Sequence, residues 1–137
     1  MATKTKTIVF TDLANYTMST AKATQDEIRR LIEEHESHTK KIFDPYGGVL
    51  VKNLGDSFMA VFDSATAALQ ACMEIVETRL SIGDRTMGLR ASLTTGDVEE
   101  MGGDYFGEAV NLSARINSKT PAGECWFANH TRLCMNE

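Results

Sequence analysis

The 137-residue sequence has only two prolines, three cysteines and one tryptophan. Cys72, Cys125 and Cys134 are odd in number and far apart, which excludes a disulfide framework and a thiolate-rich metal centre and points to a reducing, cytoplasmic compartment. No apolar run approaches the length of a membrane span. The opening residues Met1-Ala2-Thr3-Lys4-Thr5-Lys6 are followed by no stretch resembling a signal peptide. Positive charge is also scarce. Fourteen Lys and Arg against 19 Asp and Glu give a net charge of -5, which argues against a general nucleic-acid binder while leaving room for a small phosphorylated ligand. There is no internal repeat and no low-complexity linker. With 42% hydrophobic residues, the length suits one domain, spanning 1–137, with a real core.

Residues 5–10 read as a strand rich in β-branched side chains, followed by a short polar segment. Thr24-Gln25-Asp26-Glu27 has the spacing of a capping box. Ile28, Leu31, Ile32, His35, Ile42 and Phe43 then line one helical face until Pro45 and Gly47-Gly48 stop the helix. Val49–Lys52 and Ser57–Phe62 flank Leu54-Gly55-Asp56 as a hairpin, and their apolar content predicts that both strands are buried. Ser64 caps a second helix with an apolar stripe running from Ala65 to Leu80, and Ile82-Gly83-Asp84 breaks the chain. Residues 89–95 alternate as a strand ending at Gly96-Asp97, and Glu99 to Gly103 read as a turn-rich connection. A third helix opens in the Asp104 segment and ends near Thr120-Pro121, with one more strand at Glu124–Ala128. This order predicts an α+β fold, a ferredoxin-like βαββαβ core with helices packed over a mainly antiparallel sheet.

Two aspartates sit at strand ends, Asp12 after Ile8-Val9-Phe10-Thr11 and Asp56 in the hairpin turn. Brought together, they would form a site for hard divalent ions such as Mg²⁺ or Mn²⁺, which usually accompany phosphates; taken singly, each reads first as a turn cap. Asn111 and Arg115 are four apart and project from one helix face, Arg115 with a planar fork suited to phosphate oxygens. His35 and His38 lack a further ligand nearby for zinc and read as polar residues of a partly solvated helix, and Trp126 reads as core.

In order and spacing, several segments together resemble the class III nucleotidyl cyclases, adenylate cyclase type. They are Phe10-Thr11-Asp12-Leu13-Ala14-Asn15-Tyr16-Thr17, Val51-Lys52-Asn53-Leu54-Gly55-Asp56, Leu89-Arg90 before Thr95-Gly96, and Asp104-Tyr105-Phe106-Gly107 with Asn111 and Arg115. The resemblance implies an enzyme that converts ATP to 3′,5′-cyclic AMP and pyrophosphate with two Mg²⁺ or Mn²⁺ ions per site. It implies that Asp12 and Asp56 hold the metals with the Leu13 carbonyl, that the amides of Asn15, Tyr16 and Thr17 cradle the triphosphate, and that Arg90 contacts phosphate. Asn111 is implied to orient the ribose, Arg115 to stabilise charge at the α-phosphate, and Lys52 with Asp104 to read adenine. It further implies a head-to-tail homodimer with two shared sites, since one site draws its metal ligands from one subunit and its base-reading residues, Asn and Arg from the other.

The sequence departs from the family at Asn15, usually glycine, and at its end, where family domains usually continue with further strands beyond the Trp126 and Leu133 region. That short tail carries the alternative expectation, a catalytically impaired, nucleotide-binding or dimerising regulatory module, and leaves room for a fused regulatory domain outside this chain. Gly102-Gly103-Asp104-Tyr105-Phe106 superficially echoes the diguanylate cyclase signature, but in those enzymes it occupies the hairpin held here by Leu54-Gly55-Asp56.

Overall fold

The computed structural model describes residues 3–135, so the expected span of 1–137 runs two residues past these limits at each end. The β-branched run forms β1 (Thr3–Leu13), buried from Thr7 to Thr11. A turn through Asn15 leads to the four-residue helix α1 (Tyr16–Ser19). Helix α2 (Gln25–Phe43) opens on the expected capping box, with the Glu27 amide donating to Thr24 Oγ1 at 3.1 Å and the Thr24 amide to Glu27 Oε1 at 2.9 Å. Its innermost residues, Leu31, His35, Thr39 and Phe43, recur every fourth position. The helix stops in a 3₁₀ turn, Asp44–Tyr46, followed by Gly47 at φ +82°.

The hairpin of β2 (Val49–Asn53) and β3 (Ser57–Phe62) precedes α3 (Ala65–Ile75), capped by the Ser64 hydroxyl. Then follow β4 (Arg79–Ile82), β5 (Arg85–Met101), β6 (Asp104–Phe106), α4 (Glu108–Lys119) and β7 (Cys125–Phe127), with a 3₁₀ segment at Asn129–Cys134. The α+β fold is as expected, a ferredoxin-like arrangement in a mainly antiparallel sheet of order β2-β3-β1-β5-β4. Only β7 pairs in parallel, with β5. One edge of β5 runs along β1 from Leu89 to Glu99, and its other edge takes β4, β7 and β6 in turn.

Several local expectations are corrected. Helix α3 ends at Ile75, because Leu80 and Ile82 alternate with exposed Arg79 and Ser81 as a strand closing a hairpin onto β5. Strand β5 continues through Gly96-Asp97 to Met101, since pairing with β1 and then β6 satisfies backbone that local composition assigned to a turn. Asp104 lies in β6, and α4 begins only at Glu108. Strand β2 is an edge strand with no residue fully buried, and Val49 is 62% exposed. Trp126 is 42% exposed and donates to Glu124 instead of filling the core.

Strand alternation divides the interior in two. Val9, Leu13, Leu89, Ala91 and Leu93 face α2 and α3, and pack with Leu31, Phe43, Cys72 and Ile75. Ile8, Phe10, Met59, Val61 and Val98 face the opposite way, toward Ala109 of α4. Asp12 and Arg90 belong to this second face by the same alternation. No helix among the described residues is long and apolar enough to cross a membrane.

Gly48 tests the packing of the first core. A Cβ there would stand 2.4 to 2.9 Å from ring atoms of Phe62, which is buried and locked edge-on against Phe43 at 5.2 Å. Gly48→Ala is therefore expected to lower the unfolding free energy by about 1–3 kcal/mol in urea titration.

Candidate functional site

Asp12 stands directly opposite Arg90 in the β1–β5 ladder. The guanidinium takes both carboxylate oxygens, Nε to Oδ1 at 2.5 Å and Nη2 to Oδ2 at 3.0 Å. Its remaining nitrogen, Nη1, donates to the carbonyls of Thr120 at 3.1 Å and Ser118 at 3.4 Å, at the C-terminal end of α4. Burial pushes the Asp12 carboxyl above its usual value; Arg90 opposes this, and the charge of Asp56 adds to it. The two aspartates thus feel each other across the strand ends. Asp56 is set by the turn: Gly55 at φ +89° donates its amide to Asn53 Oδ1 at 2.7 Å, and the Leu54 amide reaches the Ser57 carbonyl at 2.7 Å. Leu13, next to Asp12, buries its side chain in the first core, so only its backbone is available to a ligand.

Asn15 is the one non-glycine residue with positive φ among the described residues, at φ +60° and ψ +31°. Asparagine tolerates this left-handed region better than most side chains, which accounts for a non-glycine at the turn. Tyr16 and Thr17 follow in the first turn of α1, where backbone amides have no acceptor within the helix.

Lys52 and Asp104 come from strands at opposite sides of the sheet. In a flat sheet the four strand spacings from β2 to β6 alone would separate them by at least about 19 Å. In the folded chain Lys52 Nζ lies 3.0 Å from Asp104 Oδ2. The sheet therefore curls until β6 comes over the α4 face, and Tyr105 and Val51 pack on the same apolar cluster. Asp104 Oδ1 also accepts the Tyr105 amide at 2.7 Å, and the Lys52 ammonium holds the Asp104 carboxyl below its usual range.

Helix α4 turns Ala109, Ser113 and Asn117 inward. Asn111 and Arg115 lie two residues before and after Ser113, about 200° round the helix, and both are exposed. They share a face, as their spacing predicts, and it is the face turned away from the sheet bearing Asp12. The chain thus brings Asp12 to Arg90 and within electrostatic reach of Asp56, brings Lys52 to Asp104, and keeps Asn111 with Arg115 apart from the aspartates.

The family model described as the adenylate and guanylate cyclase catalytic domain matches residues 2–137. The chain belongs to that family. An adenylate cyclase of Streptomyces coelicolor is 35% identical over 113 residues, covering 82% of this chain and 29% of that protein. The chain therefore spans well under half the length of the curated relative it matches. Among solved structures, the guanylate cyclase domain of RhGC from Catenaria anguillulae in complex with GTP superposes with a TM-score of 0.87 at 19% identity, covering 98% of this chain and 84% of that one. The adenylyl cyclase CyaB from P. aeruginosa gives 0.81 at 22%, covering 98% and 82%. These structures share the fold.

The cyclase domain offers donors that suit a hard divalent cation. Asp12 and Asp56 are close enough for their charges to interact, and a cationic guanidinium already takes both oxygens of Asp12. No group of three or more His, Cys, Asp or Glu among the described residues forms a complete cage. Two carboxylates completed by phosphate oxygens and water is the usual setting for Mg²⁺.

His35 is the residue whose setting sequence reasoning misjudged. It is fully buried beneath the two strand ends, with Nε2 3.0 Å from Thr11 Oγ1 and its ring edge-on to Phe58 at 4.7 Å. The signal was its place in the apolar row with Leu31, four residues earlier. Exposed His38 fits the solvated reading. Burial, with a smaller contribution from His38, lowers the His35 pKa from its usual 6.5 to about 4, so the ring is neutral at physiological pH. Below pH 6.5 the unfolded chain takes up a proton that the folded one excludes, and stability falls as pH drops toward 4. The expected loss is on the order of 3 kcal/mol across that window, and His35→Gln should lose this part of the acid sensitivity in urea unfolding measured at pH 7, 5.5 and 4.

Proposed function

We propose that the chain is an adenylate cyclase domain that converts ATP to 3′,5′-cyclic AMP and pyrophosphate at sites shared between two copies. The observation that carries the choice of base is the Lys52–Asp104 pair, brought to 3.0 Å from far apart in the sequence. Adenine presents an acceptor at N1 and a donor at N6, which an ammonium and a carboxylate match in turn. Guanine presents the reverse pattern, and a site built on such groups would leave them unpaired against it. The adenylate cyclase relative of 35% identity supports the same choice.

In this reading the carboxylates of Asp12 and Asp56, with the Leu13 carbonyl, hold two Mg²⁺ or Mn²⁺ ions. Metal held there would supply charge neutralisation of the triphosphate and a lowered pKa of the ribose 3′-hydroxyl. The amides of Asn15, Tyr16 and Thr17 receive phosphate oxygens at the start of α1, and Arg90, anchored on Asp12 and the end of α4, keeps positive charge at the phosphate end. Asn111 orients the ribose so that its 3′-oxygen lies in line with the α-phosphorus and the departing pyrophosphate. Arg115 donates to the α-phosphate oxygens as charge develops on them.

The outward face of Asn111 and Arg115 supports the shared site. Since those side chains point away from their own Asp12, a head-to-tail homodimer supplies them to the partner's aspartates and forms two equivalent sites.

Purified protein incubated with ATP and Mn²⁺ is expected to release cyclic AMP, with GTP a much poorer substrate and Asp56→Ala reduced by at least about 100-fold. Tight nucleotide binding without product would instead support the regulatory-module reading. Mixing Asp12→Ala chains with Arg115→Ala chains should recover up to about a quarter of wild-type activity through one intact site per heterodimer. No recovery in demonstrated heterodimers would contradict shared sites. Lys52→Ala is expected to narrow the ATP-to-GTP ratio of kcat/KM by about 10-fold or more, measured with both nucleotides.

A further inference from the structure

His35 is neutral, wholly buried and outside the proposed reaction. A buried imidazole costs on the order of 1–3 kcal/mol for each polar atom left unpaired, and of the His35 ring nitrogens only Nε2 has a well-formed hydrogen bond, the Asp56 backbone offering the ring a weaker one. Simple packing between α2 and the sheet would be served better by leucine or phenylalanine, so the imidazole contributes something directional. Nε2 meets Thr11 Oγ1 at 3.0 Å, and Thr11 has no exposed surface of its own. The ring stands edge-on to Phe58 at 4.7 Å and 85°, with the backbone of Asp56 close against it.

These contacts fall on both halves of the two-aspartate site. Thr11 immediately precedes Asp12, and Phe58 follows Asp56 by two residues and pairs directly with Thr11 across β1 and β3. Alternation along β1 points Thr11 toward α2 and Asp12 to the opposite face. His35 therefore grips the strand ends from one side while the Asp12 carboxylate, paired with Arg90, lies on the other. Thr39, one turn on, donates its hydroxyl to the His35 carbonyl at 2.7 Å, which satisfies that buried hydroxyl.

We propose that His35 is a positioning residue for the paired carboxylates: through Thr11, Phe58 and the Asp56 backbone it fixes the separation of Asp12 and Asp56 to suit divalent cations. The inference rests on reading those aspartates as the metal ligands. It assigns His35 no contact with metal or nucleotide.

The test compares wild type with Thr11→Val, His35→Leu and His35→Gln, measuring Mn²⁺ binding without nucleotide by electron paramagnetic resonance of the free ion, alongside urea unfolding. Thr11→Val and His35→Leu are expected to weaken Mn²⁺ binding by about 3- to 10-fold, less than the roughly 10- to 100-fold typical of groups bonded directly to metal ligands. In the cyclase assay they should raise the Mn²⁺ needed for half-maximal rate while leaving kcat at saturating Mn²⁺ within about twofold. His35→Gln, whose side-chain amide can still reach Thr11, should restore Mn²⁺ affinity to within about twofold of wild type. Should His35→Leu fail to fold, Thr11→Val, which exchanges a hydroxyl for a methyl, decides the question alone. Lower unfolding free energy with unchanged Mn²⁺ affinity would overturn the proposal and leave His35 a packing residue. Mn²⁺ binding that is lost in Asp56→Ala and weakened in Thr11→Val, without cyclic AMP from wild type, would sustain the proposal while removing the cyclase reading. A wild-type chain that binds no Mn²⁺, either alone or with ATP present, would overturn both.

Discussion

The register of β1 against β5 governs the rest of the structure. Eleven consecutive residues align, from Thr3 opposite Glu99 to Leu13 opposite Leu89. A slip of one residue would turn Asp12 toward α2, bring Thr11 to the opposite face and move the apolar side chains of each core to the wrong side. Hydrophobic burial on both faces makes that slip costly, so the core holds a carboxylate in an environment that burial alone would not favour. Arg90 is placed opposite Asp12 by the same register. Through its bonds to the carbonyls of Ser118 and Thr120, one guanidinium joins β1, β5 and α4.

Two charge arrangements result, and they differ in character. Asp12 and Arg90 are largely buried, and desolvation outweighs the favourable pairing at the carboxyl, so its charged form is disfavoured where a further cation would favour it. Lys52 and Asp104 are more open, with side chains 36% and 28% exposed, and their attraction keeps Asp104 ionised. The first arrangement suits tight electrostatic work on phosphate. The second suits recognition of a neutral heterocycle through donors and acceptors. An overall charge of -5 hides this division, because these charges are local pairs and not a patch of one sign.

Local chemistry made much of the fold legible. The Thr24 box, the Ser64 cap, and the stop at Pro45 and Gly47 all act within a few residues, and each formed where composition placed it. Errors came where long-range pairing overrode local preference. Arg79–Ile82 carries too few residues to announce a strand and is held as one by β5; Met101 lies in a strand because β6 folds back onto it. The exposed Trp126 and edge-lying Val49 show that an apolar side chain does not declare which side of the molecule it will occupy. The approach of Asp12 to Asp56 was legible through family resemblance, and the shared face of Asn111 and Arg115 through helical spacing. The ion pair between Asp12 and Arg90 was not, because it depends on a register across 78 positions of sequence.

By itself the sequence determined the helices and their caps, the hairpin carrying Asp56, the shared face of Asn111 and Arg115, and membership of the cyclase family, because periodicity, turn chemistry and motif spacing act locally along the chain. Tertiary structure alone decided that the sheet curls far enough for Lys52 to meet Asp104, that Arg90 rests on Asp12, and that His35 lies sealed beneath both aspartates. Each of those outcomes requires residues remote in sequence to be brought against one another, and only the closed fold supplies that condition.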